Sequence, residues 1–300
     1  MAKRILITGA TGFTGRYLAP KLAEAGYEVH GTIHGASSPP VSGVSRLHSV
    51  DLEDAAAINR VVSNVSPHKV AHLAAISFVD HADVGEMYRS NILGTRNLLQ
   101  ALANLQFLPE AVLVASSANI YGNATEGTLD ESVPPAPVND YAVTKVAAEL
   151  VAGLYRKRLP VIIARPFNYT GRGQSERFLV AKIIAHSRRR EPEIELGNLA
   201  VARDFSDVRG VVDAYCRLLD CPAAIGETFN ICSGRATALR ELVALVEQIS
   251  GHRLKIRTNR RLVRTDEVAT LCGSPRGLEQ VIGPLLMPPL EETLRWMLES

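Results

Sequence analysis

The strongest constraint on how this chain folds is a short loop near its start. Gly9-Ala10-Thr11-Gly12-Phe13-Thr14-Gly15 has the spacing G-x-x-G-x-x-G. It follows the apolar run Ile5-Leu6-Ile7, within a strand-like Arg4–Thr8, and opens the stretch Gly15–Ala25, where Leu18, Leu22 and Ala25 recur at helical spacing. In a strand that turns through glycines straight into a helix, each glycine has a task. Gly9 permits the tight turn, Gly12 lets the backbone approach a ligand, and Gly15 lets the helix pack closely on the strand. The first turn of that helix has free N–H groups, which suit phosphate oxygens. Gly9, Thr11, Gly12, Phe13, Thr14 and Gly15 are therefore candidate contacts for the pyrophosphate of a dinucleotide.

The first half repeats the alternation. Gly26 stops the first helix, Glu28–Ile33 reads as a second strand, and a third ends at Asp51. Ala55–Asn64, Ile92–Asn104 and Tyr141–Lys157 read as helices; Val70–Ala74, Ala111–Ser116 and Val161–Ala164 read as buried strands. This pattern predicts an α/β fold, a Rossmann-type doubly wound parallel sheet. The second half is less regular. Gly171–Glu176 and Gly197–Arg203 look like loops, Arg177–Ser187, Val211–Leu219, Leu239–Ile249 and Glu291–Leu298 look helical, and Glu227–Ile231 reads as a strand able to rejoin the sheet. The expected division is a nucleotide-binding domain of residues 1–165, with 205–232 returning to it, and a smaller C-terminal substrate-binding lobe of residues 166–204 and 233–300.

Composition narrows the function. With 46% hydrophobic and 21% charged residues in 300, the chain can bury a sizeable core. A net charge of +2 gives no basic face for nucleic acid, and Arg188-Arg189-Arg190 reads as the solvated end of a helix. Cys216, Cys221, Cys232 and Cys272 show no metal-ligand spacing and no accompanying His cluster, so reduced thiols and no metal are expected. No apolar run is long enough to span a membrane, and the chain enters a strand pattern at once, so a cytoplasmic protein without membrane partners is expected.

Tyr141 and Lys145 share one helix face at i, i+4, so both can address one ligand. A free phenol titrates at about 10. An ammonium roughly 4 Å away contributes on the order of 4 kcal/mol at an effective dielectric of about 20, enough to bring Tyr141 down to about 7 before desolvation opposes it. Such a phenol could exchange a proton with a substrate oxygen. Ser116-Ser117-Ala118-Asn119-Ile120-Tyr121-Gly122 follows a buried strand, at the C-terminal edge where open α/β sheets bind ligands.

Taken together, TGATGFTG from Thr8, HLAA from His72, SSANIYG from Ser116, YAVTK from Tyr141 and RPFN from Arg165 resemble the extended short-chain dehydrogenase/reductase family. The resemblance implies a nicotinamide cofactor lined also by Leu73, Ala74, Ala75 and Phe167. It implies Ser117 as the hydroxyl that orients the substrate oxygen, Tyr141 as acid/base, and Lys145 as the residue that tunes Tyr141 and holds the nicotinamide ribose. Asn91 matches the family position that supports the active-site helix, or is an ordinary helix cap. At the end of the second strand stands Thr32-Ile33-His34-Gly35, followed by Ser37 and Ser38. No carboxylate at His34 would repel a 2′-phosphate, which favours NADP(H) over NAD(H), although no arginine stands there either. Asp51 and Leu52 would lie beside the adenine; Asp51 is equally readable as a cap of the next helix.

A subgroup is visible farther along, in Arg165-Pro-Phe-Asn168-Tyr-Thr-Gly171, Phe178-Leu-Val-Ala-Lys182, Gly197-Asn198-Leu, Ala202-Arg203-Asp204-Phe205, Asn230-Ile-Cys-Ser-Gly234 and Arg264-Thr-Asp-Glu267. These segments resemble GDP-6-deoxy-4-keto-mannose reductases and GDP-mannose 4,6-dehydratases. The resemblance implies that Asn168, Lys182, Arg203, Arg264 and Glu267 hold the GDP part of a GDP-linked sugar. Dehydratases of this kind carry ionisable Asp/Glu residues just after the active-site Ser/Thr. Here those places are Ala118 and Asn119, which cannot act as general acid or base. The expected reaction is therefore NAD(P)H-dependent reduction of the C4 ketone of a GDP-4-keto-6-deoxyhexose, giving GDP-D-rhamnose or its C4 epimer. The alternatives are a sugar-nucleotide 4-epimerase, a 4,6-dehydratase relative, and a non-catalytic NAD(P)-binding sensor. Family members often dimerise through the helices matching Ile92–Asn104 and Tyr141–Lys157, which implies a homodimer; packing on the sheet explains their apolar content equally well.

Overall fold

Burial on both faces decides the central strands. In β1 (Arg4–Thr8), Ile5, Leu6 and Ile7 are wholly buried. Ile5 and Ile7 pack on one side of the sheet and Leu6 on the other. Continuous apolar runs of this kind belong to parallel strands covered by helices on both faces. The computed structural model describes residues 2–35, 39–78, 81–122, 127–259 and 269–299. After β1 come α1 (Phe13–Glu24), β2 (Glu28–Ile33), β3 (Arg46–Ser49), α2 (Ala55–Val65) and β4 (Lys69–His72). Then α3 (Val84–Tyr88) runs through a π-helical turn, Arg89–Leu93, into α4 (Gly94–Ala103). β5 (Ala111–Ala115) leads through a 3₁₀ turn, Ala118–Tyr121, toward α5 (Asp140–Tyr155) and β6 (Val161–Pro166).

The chain then builds a second lobe. Its elements begin with β7 (Asn168–Thr170), α6 (Leu179–Arg188), β8 (Glu193–Leu196) and β9 (Ala202–Asp207), after which α7 (Val208–Leu219) and β10 (Thr228–Ile231) return to the large sheet. β11 (Ala236–Ala238), α8 (Leu239–Ser250), β12 (Lys255–Thr258), β13 (Thr270–Leu271), α9 (Arg276–Ile282) and α10 (Leu290–Leu298) complete it. β10 leaves the lobe and pairs with β6 at the edge of the large sheet. Residues 205–207 stay in the lobe's own sheet as part of β9, so the return begins with α7.

The large sheet has seven parallel strands in the order β10-β6-β5-β4-β1-β2-β3. The order reverses between β1 and β4, and at such a switch point the strand ends open a crevice. α1 and α7 cover one face; α2, α4 and α5 cover the other. Each fully buried Leu or Ile contributes about 1.5–3 kcal/mol, so these faces hold the domain together. Among the described residues, no helix is long and apolar enough to cross a membrane, and no group of His, Cys, Asp or Glu could hold a metal ion.

Three local readings change. Asp51 is not the cap of α2: β3 ends at Ser49, Asp51 accepts from Glu53 N, and Asp54 takes the N–H groups of Ala56 and Ala57. The helix expected from Ile92 begins upstream, because α3 and the π-helical turn carry the chain into α4 without a break. Arg203, expected in a loop, lies in β9, whose sequence Ala-Arg-Asp-Phe-Ser-Asp has no apolar run to announce a strand. It is buried all the same, because its carboxylates find partners inside. Asp204 accepts from the backbone N–H groups of Ser233 and Gly234, and Asp207 accepts from Arg209 and Thr293.

Candidate active site

The glycine loop lies at the switch point. Gly9 has φ +71°, and a Cβ there would sit 2.9 Å from Ala74 Cα. A Cβ on Gly15 would sit 2.6 Å from the carbonyl oxygens of Gly9 and Ala10. Both positions are closed to any larger residue. Gly12 differs: its missing side chain would meet only Gly9 O, at 3.1 Å. Gly12 is also the N-cap of α1, with no side-chain cap and no acidic residue in the first turn. The loop thus presents helix N–H groups beside an open backbone, which fits a pyrophosphate. Thr14 Oγ1 pairs with Tyr169 OH at 2.7 Å, and the Phe13 ring stacks on Tyr169 with centroids 6.0 Å apart, so β7 braces the loop. Thr11 offers its carbonyl to Arg16 Nε.

Beside the loop, β4 ends in His72. Thr95 Oγ1 donates to Asn91 O, so it accepts from His72 Nε2, and Thr8 Oγ1 in turn donates to Nδ1. This neutral imidazole ties β1, β4 and α4 together. Burial, with the Lys145 charge adding to it, pushes His72 down to about 3. Leu73 and Ala74 follow, their N–H groups bonded to Thr8, and with Ala75 they form a half-buried wall beside the loop. Across the sheet edge, Leu52 is buried beneath Gly94, while Asp51 and His34 are exposed. Ser37 and Ser38 lie outside the described residues.

The structure brings Ser117, Tyr141 and Lys145 together beyond the end of β5, all nearly buried. Asn139 caps α5 by accepting from Ala142 N at 2.9 Å, which fixes the turn that carries Tyr141. Ser117 lies beside Tyr141, close enough to lower the phenol's pKa. Lys145 Nζ stands 5.9 Å from the Tyr141 ring centre and donates to Ala115 O at 2.8 Å. Burial pushes Tyr141 up to about 12 against the lowering effect of Ser117, and pushes Lys145 down to about 8 with Glu149 opposing. The spacing argument expected Tyr141 near 7. Desolvation of the phenol dominates, and Lys145 is itself desolvated and occupied with a carbonyl.

Asn91 is buried in the π-helical turn and is not a helix cap. Its amide accepts from Ile76 N at 2.8 Å and donates to Ile76 O at 3.1 Å and Thr144 Oγ1 at 3.0 Å. It thereby fixes the first turn of α5 to the loop after β4.

Several members of this site escaped the sequence reading. Glu149 receives Arg165 Nε at 2.9 Å and Nη2 at 2.7 Å, and Ser116 Oγ donates to it as well. Arg165 Nη1 donates to Tyr121 OH, which donates to Asn230 Oδ1. This buried network backs the helix face that carries Tyr141 and Lys145. Glu149 follows Lys145 by four residues, a spacing that could have revealed it; Thr8, Thr95 and Asn230 carry no such signal.

The lobe residues are held differently. Asn168 begins β7, and its buried Nδ2 has no partner among the described residues. Phe167 packs near Tyr121, ring centres 6.1 Å apart. Lys182 Nζ donates to Glu195 O at 2.7 Å, and Arg203 Nη1 to Ala202 O at 2.8 Å. Arg264 and Glu267 lie outside the described residues.

A glycine loop at the switch point and a buried Ser–Tyr–Lys set define the Rossmann-fold oxidoreductases that use a nicotinamide cofactor. Residues 6–285 match the model of the GDP-mannose 4,6 dehydratase family, and the chain belongs to that family, within the extended short-chain dehydrogenase/reductases. It is 34% identical to GDP-6-deoxy-D-talose 4-dehydrogenase of Aggregatibacter actinomycetemcomitans, over 93% of this chain and 91% of the relative. It is 32% identical to GDP-6-deoxy-D-mannose reductase of Pseudomonas aeruginosa, over 100% and 97%. Among solved structures, a Burkholderia cenocepacia protein described as a candidate epimerase is 50% identical, with TM-score 0.93 and coverage of 99% and 97%. RMD from Pseudomonas aeruginosa complexed with NADPH is 31% identical, with TM-score 0.85 and coverage of 100% and 97%. The chain is an oxidoreductase acting on a nucleotide sugar.

Proposed function

We propose that this enzyme reduces the C4 ketone of a GDP-4-keto-6-deoxyhexose with NADPH, forming GDP-D-rhamnose or its C4 epimer. One observation carries this reading. Ser117 and Tyr141 stand side by side, buried at the strand ends, while the two positions after Ser117 hold no ionisable group. Ala118 is buried in an apolar cluster and Asn119 turns its N–H groups to Ser117, so proton removal and hydroxyl expulsion have no agent there. Reduction needs less. Tyr141 stays protonated at neutral pH and delivers its proton to the ketone oxygen as that oxygen becomes basic. Ser117 holds the same oxygen in place. Lys145 keeps a positive charge beside the phenol and the cofactor ribose. A bound nicotinamide supplies the hydride.

The cofactor fits Gly9, Thr11, Gly12, Phe13, Thr14 and Gly15, with Leu73, Ala74, Ala75, Asn91 and Phe167 around it and Asp51 and Leu52 toward the adenine. The lack of a carboxylate at the exposed His34 position, where one would repel a 2′-phosphate, supports NADPH over NADH. Asn168, with its unpartnered amide, Lys182 and Arg203 are proposed contacts of the GDP moiety, together with Arg264 and Glu267. Residues 1–165 with the returning segment 208–232 would bind the cofactor, and residues 166–207 and 233–300 the sugar nucleotide. A homodimer through α4 and α5 is supported by outward-facing Leu150 and Leu154, 69% and 80% exposed.

The test is incubation of GDP-4-keto-6-deoxymannose with NADPH and, separately, NADH, following cofactor absorbance and identifying the product by NMR. A C4 alcohol with faster NADPH consumption is expected; no turnover with either cofactor overturns the proposal. The Burkholderia relative favours a second reading, 4-epimerisation. Epimer formation from a GDP-hexose without added cofactor would establish that one instead.

A further inference from the structure

Asn119 stands where an eliminating enzyme of this family would need an acid or base, yet it is not idle. Ser117 is the extended N-cap of the 3₁₀ turn Ala118–Tyr121, with φ −161° and ψ 146°. That turn folds Asn119 back over the serine. Ser117 Oγ accepts from the Asn119 backbone N–H at 3.2 Å and from Asn119 Nδ2 at 3.2 Å. A hydroxyl has two acceptor positions and one proton. One residue fills both acceptor positions. The O–H is the capacity Ser117 has left, and Tyr141 lies beside it.

We propose that Asn119 is a positioning residue that makes Ser117 an obligate hydrogen-bond donor, with its O–H aimed at the oxygen that Tyr141 protonates. The inference rests on the ketone-reduction reading for the identity of that oxygen. The polarity of Ser117 itself is a property of the free protein. A serine with an open lone pair could turn its proton away and accept from solvent or substrate. With both lone pairs filled it cannot, and the donor is oriented before the substrate arrives, as electrostatic preorganisation requires. Asn119→Asp is close to isosteric and reverses this polarity. The backbone donor survives, but the carboxylate can only accept, so Ser117 donates to it and leaves the ketone oxygen unheld.

Two measurements test the proposal. The first needs no substrate. With selective ¹⁵N-asparagine labelling, the Asn119 side-chain amide protons are compared in the wild type and in Ser117→Ala. We expect at least about tenfold faster hydrogen exchange in the variant, since the bond to Oγ is gone. Equal exchange overturns the proposal. The second is a kinetic cycle on GDP-4-keto-6-deoxymannose with NADPH. Asn119→Asp should lower kcat on the order of 10²-fold, the scale seen for loss of one oriented donor, with KM little changed. It should recover as pH falls and the carboxyl regains a proton to donate. In a Ser117→Ala background it should add almost nothing. Equal losses in both backgrounds would mean a structural or charge effect alone, and would overturn the proposal. A wild type that reduces no ketone removes the functional reading and the target oxygen with it. The amide exchange still decides whether Asn119 polarises Ser117.

Discussion

Lys145 and Lys182 both sit in the first two turns of a helix, and the protein treats them in opposite ways. Lys145 is buried, its amine fixed on Ala115 O, with neutral His72 and the Glu149–Arg165 pair around it. Lys182 is half-buried, and its amine rests on Glu195 O in the lobe. The first arrangement is rigid and desolvated, so each electrostatic interaction there is strong and every unpaired group is costly. The second leaves the ammonium close to water, where one ion pair contributes about 0.2–1 kcal/mol. The lesson is a contrast of environment: Ser117, Tyr141 and Lys145 are held among buried partners, while Lys182 in the lobe stays close to water.

That contrast can be broken most decisively at Tyr141. Tyr141→Phe should lower kcat by about 10²–10⁴-fold while KM stays within roughly threefold, because only the proton donor is lost. A kcat loss under about tenfold in steady-state assays would remove Tyr141 from the proposed role.

Acid offers the next test, through stability. His72 titrates at about 3 in the fold, against about 6.5 for a free imidazole. Below pH 6.5 the unfolded chain takes up a proton that the folded protein refuses, so stability is present above pH 6.5 and is lost as pH falls toward 3. Between pH 7 and pH 4.5 this amounts to about 2–3 kcal/mol. Urea unfolding at the two pH values should reveal it. His72→Gln should lose that part of the slope, and an unchanged slope would show that the imidazole does not govern it.

Lys145 gives a smaller effect with the opposite sense. Its buried amine, at about 8, is charged below that pH and neutral above it. Tyr141, at about 12, stays protonated throughout. kcat/KM for reduction should therefore hold steady below pH 8 and fall by about tenfold by pH 9. Lys145→Arg keeps its charge to far higher pH, so the limb should vanish from its pH–rate profile. A limb that persists in that variant belongs to another group.

The smallest expected change lies in the lobe. Lys182→Ala should raise KM by at most about fivefold with kcat unaffected, as suits an ammonium exposed to water. A kcat collapse in initial-rate measurements would erase the distinction between the two regions.

Much of the cofactor half could be read along the chain because its signals are local. G-x-x-G-x-x-G between a strand and a helix, Ser117 after a buried strand, and Tyr141 four residues before Lys145 are each contiguous patterns. The lobe gave weaker signals. β7 is short and β9 polar, and their burial depends on bonds such as Asp204 to Ser233 and Gly234 that form only once distant segments meet. Arg165 showed the same limit. It matched a motif, yet its buried partner Glu149 sits on a different element.

The sequence alone determined the alternation of strand and helix, the place of the dinucleotide loop, and which hydroxyl, phenol and amine would share a site. These follow from periodicity and from backbone freedom at glycine, both properties of neighbours along the chain. Only the tertiary structure decided how those groups ionise and which way they point. It put Tyr141 at about 12 and not near 7, made Asp54 and not Asp51 the cap of α2, and filled both lone pairs of Ser117 from Asn119. Desolvation and hydrogen-bond polarity are set by atoms that arrive from elsewhere in the chain, and they exist only when the fold is complete.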